Sequence, residues 1–415
     1  MKYLAQKAKE ASKSLRIART EEKNTALLLF AEELENSTKE ILSVNQQEVE
    51  KAAKTGLSLG FCDRLSLKGR LEGIVEDLRK VAKLPDPVGE ILEEIHLPSG
   101  LKLQKKRVPI GVLGVIYESR PNVTVDVASL ALKTGNAAIL RGGKETLATN
   151  RLLITLLKKA LERSPLPVEA IQFIDRPDRS LVLELLKLDR EIDMIIPRGG
   201  ASLHRFCVEN STIPVITGGV GICHLFVDES ADLEKSLPVI VNAKTDRPSV
   251  CNALDTLLLH KEIAENFLPR VISTLTPLGV SFRLDTRSWD LLSPQEGEIF
   301  KKAAPSDWAT EWLSLTLGIR IVDSLEEAIT HIETHSSGHS ESILTNNREH
   351  ANLFVERVDA AAVYINASTR FTDGGAFGMG AEIAVSTQKL HVRGPMGLKE
   401  LTTYKWIGEG DYLIR

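Results

Sequence analysis

Cysteine is scarce and scattered: Cys62, Cys207, Cys223 and Cys251 are the only four, and no two form a CxxC pair. That spacing offers neither a disulfide framework nor a tetrahedral metal site, and it suits free thiols in a reducing cytoplasm. Long apolar runs are also missing, so no segment reads as a bilayer-spanning helix. The opening "MKYLAQKAKEASKSLRIART" sets apolar residues at helical spacing among charges, without the continuous apolar stretch of a signal peptide. Excess charge is lacking as well. The formal net charge is -4, so neither a nucleic acid nor an anionic membrane is an expected partner. There is no internal repeat and no low-complexity segment.

What is present is an ordinary globular composition over 415 residues, 43% hydrophobic and 26% charged. That length exceeds one small core, and two or three domains are expected. The first ninety or so residues read as helices, with Leu4, Ala8, Ala11, Leu15 and Ala18 marking one face. "LPDPVGE" breaks the pattern, and "EILEEIHLPSGLKLQKKRVPIGVLGVIYES" reads as two or three strands with a turn at "PSG". Short apolar strands then alternate with amphipathic helices: "IGVLGVIYE", "NAAILRGG", "AIQFID", "DMIIPRGG" and "IPVITGG" are the strands. This is the signature of parallel βαβ units in a doubly wound sheet. A second alternating series starts near "CHLFVDESADLEKSLPVIVNAK" and closes with "ANLFVERVDAAAVYIN". The fold class is therefore α/β, with two doubly wound domains in tandem and turn-rich edge strands in the tail.

Glycines follow several strands, in "LRGGKE", "PRGGAS" and "TGGVG". Glycine at a strand's carboxyl end admits backbone to a phosphate, and the next helix offers free N–H groups. An ordinary βα turn explains any one of them; three at one end of a sheet favour a ligand cleft. Arg141 and Lys144 beside the first pair suit an extra phosphate such as that of NADP, or form a solvated surface pair. Cys251 stands between a basic, proline-bearing loop and a strand, in "KTDRPSVCNALDTLLLH". An unperturbed thiol is only about 3% thiolate at pH 7, so a nucleophile there needs help, and Lys244 and Arg247 are near in sequence. His204, His224 and His260 read as structural. His331, His335 and His339, in "THIETHSSGHS", read as a solvated helix end running into a loop. Cys62, Cys207 and Cys223 fit buried packing positions.

Taken in order, "YESRPNVTVD", "GNAAILRGGKE", "PRGG", "ITGGVG", "RPSVCNALDTLL", "SLEEAITHIETHSSGHSESILTN" and "FTDGGAFGMGAEIAVSTQ" resemble the aldehyde dehydrogenase superfamily over nearly the whole chain. The resemblance implies a cofactor domain over residues 1–90 and 108–225 and a catalytic domain over 226–384. A small β oligomerisation element, residues 91–107 and 385–415, completes the implied subunit, which is expected to form a homo-oligomer. The implied reaction is NADPH-dependent reduction of L-glutamate 5-phosphate to the 5-semialdehyde with release of phosphate, in proline biosynthesis. Glutamate 5-kinase is the candidate protein partner. Another acylating semialdehyde dehydrogenase, using for example coenzyme A, is the alternative.

By the same resemblance Cys251 is the nucleophile and Asn122 the side-chain amide that holds the oxyanion. Arg141, Lys144, Arg198, Gly199, Gly200, Gly218, Gly219 and Glu311 fall at cofactor positions, Glu311 where the superfamily contacts the nicotinamide ribose. Arg120, Ser368, Thr369 and Arg370 are candidates for the substrate's carboxylate and phosphate. No metal is implied. One departure stands out: Ile216 occupies the position of the glutamate that activates water in ordinary aldehyde dehydrogenases.

Overall fold

The computed structural model describes residues 1–415, the side chain of Leu59 aside. The chain forms two compact units. The first comprises Met1–Thr217, Gly378–Ala384 and Pro395–Arg415. Its helices include Lys2–Leu15, Thr20–Asn36, Thr38–Lys54 and Leu71–Lys83. The first of these buries Ala5, Ala8, Ala11 and Leu15, one small-residue face at helical spacing.

Strands β1 (Ile91–His96) and β2 (Lys102–Pro109) form an antiparallel hairpin around the "PSG" turn. The C-terminal strand Thr402–Glu409 pairs antiparallel along the other side of β2, from Thr402 opposite Pro109 to Glu409 opposite Lys102. The parallel sheet of this unit consists of β3 (Val112–Tyr117), β4 (Ala137–Arg141), β5 (Ile171–Phe173) and β6 (Met194–Arg198). Its order is β5-β4-β3-β6. The chain winds outward from β3 through β4 to β5, then returns to place β6 on the other side of β3. That reversal opens a crevice at the carboxyl ends of β3 and β6, where α/β sheets bind ligands. The expected strand "IPVITGG" reduces to one bridge, Val215 to Ile195. Pro214 brings no N–H donor and a glycine pair follows, so the ladder stops there.

The second unit comprises Gly218–Phe377 and Val385–Gly394. Its sheet contains β7 (Cys223–Val227), β8 (Leu254–His260), β9 (Ser281–Leu284), β10 (Phe300–Lys302), β11 (Thr316–Val322), β12 (Ser340–Leu344) and β13 (Ala362–Ile365). The order is β10-β9-β11-β8-β7-β12-β13, parallel throughout. Leu225, Val227, Leu257 and Leu259 pack on one face, Phe226 and Leu258 on the other. Helices cover both faces, which is why the β7 and β8 sequences read as continuous apolar runs. The units divide at Thr217/Gly218, not after residue 225, because β7 pairs with β8 and β12. The tail is shared likewise: 385–394 belongs to the second unit and 395–415 to the first.

Candidate active site

In the first unit a cleft of about 620 Å³ opens where β3 and β4 end, lined by Glu118, Ser119, Arg141, Gly143, Lys144, Glu145, Arg179 and Ser202 among others. Arg141 and Lys144 thus share one cavity. Arg179, which precedes the helix Ser180–Leu185, adds a cation that the sequence did not single out. Arg141 donates from Nη2 to the Pro177 carbonyl at 3.3 Å, and its Nε is buried with no hydrogen-bond partner. Burial pushes its pKa down, and the charge of Arg179 adds to that. A buried, unmatched guanidinium N–H beside another cation is the electrostatics an anion would satisfy.

Arg198, Gly199 and Gly200 leave β6 at the same end of the sheet. Arg198 Nε is likewise buried and unpartnered. A Cβ on Gly199 would sit 2.5 Å from the Glu118 carboxyl carbon, so glycine there makes room for that side chain. Glu118 accepts from the Gly200 N–H at 3.2 Å, at the start of the helix Ala201–Asn210. The carboxylate therefore takes a backbone donor at the end of the helix where negative charge is favoured. Arg120 is exposed in the loop after β3, and Asn122 opens the helix Asn122–Lys133. Between them and β3, Ser119 holds φ +24°, a strained conformation for a residue with a side chain.

In the second unit the candidate residues Gly218, Gly219, Cys251 and Glu311 precede strands, at the amino end of the sheet. Cys251 sits half-buried in the turn before β8, while Cys62, Cys207 and Cys223 are buried. Gly221, just before β7, packs against it so closely that an added Cβ would lie 1.6 Å from the Cys251 carbonyl oxygen. That oxygen accepts from Cys223 Sγ at 3.2 Å. Burial pushes the Cys223 thiol well above its ordinary range, so it stays a protonated donor. The Gly221 N–H donates to Glu311 Oε1 at 2.9 Å. Gly221, absent from the sequence-based candidates, thereby ties Glu311 to the cysteine turn. Burial raises the Glu311 carboxyl to about 6, with the Gly221 bond opposing and Asp255 adding to the rise. Gly218 pairs with Ser386, and Gly219 takes φ +88°, a turn that glycine accepts freely.

The loop after β13 closes on the cysteine turn through Asn252. Its Nδ2 donates to the carbonyls of Arg370 and Thr372 at 3.2 and 3.0 Å. Its own carbonyl accepts from the fully buried Thr369 hydroxyl at 2.8 Å. Arg370 bonds Asn252 Oδ1 and reaches Asp246 Oδ2 from Nη2 at 3.0 Å. Ser368 Oγ accepts the Arg370 N–H at 3.3 Å. Of the substrate candidates in this unit, Arg370 keeps a cationic head beside Asn252, the residue after Cys251, whereas the Thr369 hydroxyl is engaged in holding the loop.

The basic residues near Cys251 divide. Lys244 is fully buried and donates to the Leu254 carbonyl at 2.8 Å, its pKa brought down to about 8 by burial against the pull of Asp255. Arg247 is exposed. The helix Leu325–His335 does end at a partly exposed histidine and run into a loop, as expected, but the other two histidines are not solvated. His331 is 4% exposed, with the rings of His224 and Trp308 packed edge-on against it at 5.4 and 5.5 Å, and His339 is fully buried with Nδ1 2.8 Å from Ser340 Oγ. Burial drives His331 down to about 2, so it is neutral at any working pH. Among the described residues no group of three or more His, Cys, Asp or Glu is placed to hold a metal.

The aldehyde dehydrogenase family profile matches residues 1–289, and the chain belongs to that family of oxidoreductases. Within it, the chain is similar to proteins named gamma-glutamyl phosphate reductase. One from Actinobacillus pleuropneumoniae is 56% identical, covering 99% of this chain and 98% of its own length. One from Cronobacter sakazakii is 54% identical over the full length of both. The crystal structure of the Thermotoga maritima gamma-glutamyl phosphate reductase superposes with a TM-score of 0.96 at 47% identity, over 100% of this chain and 99% of that one. An acetylating aldehyde dehydrogenase from Geobacillus thermoglucosidasius, 17% identical over 100% of this chain and 97% of its own, shares the fold with a TM-score of 0.70.

Proposed function

We propose that this protein reduces L-glutamate 5-phosphate to L-glutamate 5-semialdehyde, with NADPH as reductant and release of phosphate, in cytoplasmic proline biosynthesis. The observation that carries the reading is the Cys251 turn: a half-buried thiol at a strand's mouth, held by Gly221 and Asn252, while the other cysteines are buried. The relatives' names supply the substrate. The first unit is the cofactor domain. Arg141 and Lys144 with Arg179 read the 2′-phosphate, and the Arg198–Gly200 turn takes the diphosphate. The unpartnered Nε atoms of Arg141 and Arg198 fit such an anion.

The Cys251 thiolate attacks the acyl carbonyl carbon, and Asn122 with a backbone N–H stabilises the oxyanion. Collapse breaks the carbon–oxygen bond to phosphate and leaves a γ-glutamyl thioester on Cys251. When bound in the first unit, a reduced nicotinamide would supply the hydride that this acyl group needs. The resulting cysteinyl thiohemiacetal loses its hydroxyl proton, releases the aldehyde and returns the thiolate. Arg370 and Arg120 take the substrate's anionic groups, and Glu311 orients the cofactor ribose.

The antiparallel sheet of β1, β2 and Thr402–Glu409 is the self-association element of a homo-oligomer. Glutamate 5-kinase is the partner that supplies a substrate prone to hydrolysis. In the test, Cys251→Ala is expected to lose all turnover while keeping its melting temperature and NADPH affinity. Turnover above a trace in that variant rules out covalent catalysis at Cys251.

A further inference from the structure

Asp126 is a half-buried carboxylate to which the chemistry above gives no task. It lies one turn beyond Asn122 on the helix Asn122–Lys133, and its Oδ2 accepts from Asn122 Nδ2 at 2.9 Å. The charged groups acting on it are Arg198, at the end of β6, and Asp77, on the helix Leu71–Lys83. We infer that Asp126 is a positioning residue that fixes the side-chain amide of Asn122, so that an N–H and not the carbonyl oxygen is presented to the reaction's oxyanion. This rests on Asn122 being the oxyanion donor of the proposed function.

A primary amide has two faces of similar shape and opposite polarity. Flipped by 180°, Asn122 would aim lone pairs at a developing negative charge. An ionised carboxylate only accepts, so it bonds only the NH₂ end of its neighbour. One amide hydrogen is then held by Asp126 and the other is left for the oxyanion. The i, i+4 spacing makes this reach possible, since residues four apart face each other along a helix. The competing role is structural: Asp126 as a counter-charge for Arg198, whose loss would weaken folding or cofactor binding and leave the amide alone.

Protonation separates the two. Burial raises the Asp126 carboxyl to about 6, opposed by the Asn122 bond and by Arg198, with Asp77 adding to the rise. Above that pH the carboxylate holds the NH₂ end. Below it, the carboxyl gains an O–H that can donate to the amide oxygen and admit the flipped form. Turnover therefore falls as pH drops through 6. Stability runs the opposite way. A carboxyl whose folded pKa exceeds its unfolded value contributes most below the ordinary value of about 4, and that contribution is lost as pH rises through 6. Opposed slopes distinguish this group from general acid unfolding.

The experiment measures oxidation of glutamate 5-semialdehyde with NADP⁺ and phosphate from pH 5 to 8, in the native enzyme, N122A, D126N and the double variant. Loss of a whole oxyanion donor costs about 10²–10³ in kcat, so mis-setting one is expected to cost D126N about tenfold or more. Its KM for NADP⁺ should stay within about twofold, and its acid limb near pH 6 should vanish. Because Asp126 acts through Asn122, the double variant should be no slower than N122A within about twofold. Alkylation of Cys251 by iodoacetamide should keep its native rate. Asp126→Glu, still acceptor-only, should recover most of kcat and keep the acid limb. That variant also carries the test if D126N does not fold. Multiplying losses in the double variant, or a raised KM with kcat intact, overturns the inference. If N122A itself turns over normally, the oxyanion assignment fails and the inference falls with it.

Discussion

At the scale of the residue, the proposed preference for NADPH over NADH rests on cations of the first unit. Arg141, Lys144 and Arg179 line one cleft, and each hydrogen bond to a charged group contributes about 1.5–3 kcal/mol. Replacing Arg141 and Lys144 together with neutral residues is therefore expected to raise KM for NADPH at least about tenfold and to leave KM for NADH nearly unchanged. Steady-state kinetics with both cofactors checks this, and equal losses would mean that these cations do not read the 2′-phosphate. The first two were legible because they flank a glycine pair at a strand end. Arg179 was not, because it enters from the loop after β5, and nothing local in "DRPDRSL" points to a cleft formed by other strands. Gly221 and Asn252 escaped for the same reason. Their importance lies in distances to the Cys251 turn and to the loop after β13, which only the folded chain brings near.

Elements were legible where hydrophobic period and turn chemistry agree. β3, β4, β6, β7 and β8 are apolar runs bounded by glycine, proline or polar turns, and the sequence alone locates them. β9 and β10 are "SFRL" and "FKK", too short and too polar for any periodic signal. They exist because β11 offers an edge for β9, which in turn offers one for β10. Charge can also hold elements together. Asp86, in the segment before β1, faces Lys23, whose side chain is 1% exposed, and accepts from Thr20 Oγ1 at 2.9 Å. It also offsets the burial of Lys133. Asp86→Asn leaves buried ammonium groups without their carboxylate, a loss of about 3–5 kcal/mol in denaturant unfolding. Adding Lys23→Met should restore a large part of it, since an apolar side chain carries no desolvation cost. A change below about 0.5 kcal/mol in the single variant would show the cluster to be solvated. The small antiparallel sheet makes the other element-scale prediction. Both its outer strands are edges, and Ile91, Leu92, Tyr404 and Trp406 are exposed on it. Unpaired edges beside apolar side chains favour association with a second copy. Tyr404→Lys with Trp406→Glu should shift the protein toward monomer in analytical ultracentrifugation, and an unchanged sedimentation coefficient would place self-association elsewhere.

At the scale of the whole molecule, the proposed function turns on what would remove the acyl group from Cys251. The resemblance to aldehyde dehydrogenases implies a glutamate that deprotonates water where a free acid is made, and general bases of this kind contribute about 10²–10⁴-fold. The same resemblance assigns that position to Ile216, which is 4% exposed with its N–H donating to the Ile195 carbonyl at 2.9 Å. An isoleucine accepts no proton, and a buried one leaves little room for the water it would have to activate. A reductase gains from this, because hydrolysing the thioester would discard the activation already present in the acyl phosphate. Run backwards with glutamate 5-semialdehyde and NADP⁺, the enzyme should therefore need inorganic phosphate as acyl acceptor, and free glutamate should form at least about 10²-fold more slowly than glutamyl phosphate. Because glutamyl phosphate is labile, trapping it with hydroxylamine as the hydroxamate gives the ratio directly. Ile216→Glu is not a clean gain-of-function test. Its new carboxyl would enter a buried site, where desolvation keeps it protonated and unable to act as a base near pH 7. Rapid formation of glutamate without phosphate by the native enzyme would contradict the assignment. Some other side chain would then have to supply the base, and the protein would be working as an ordinary aldehyde dehydrogenase.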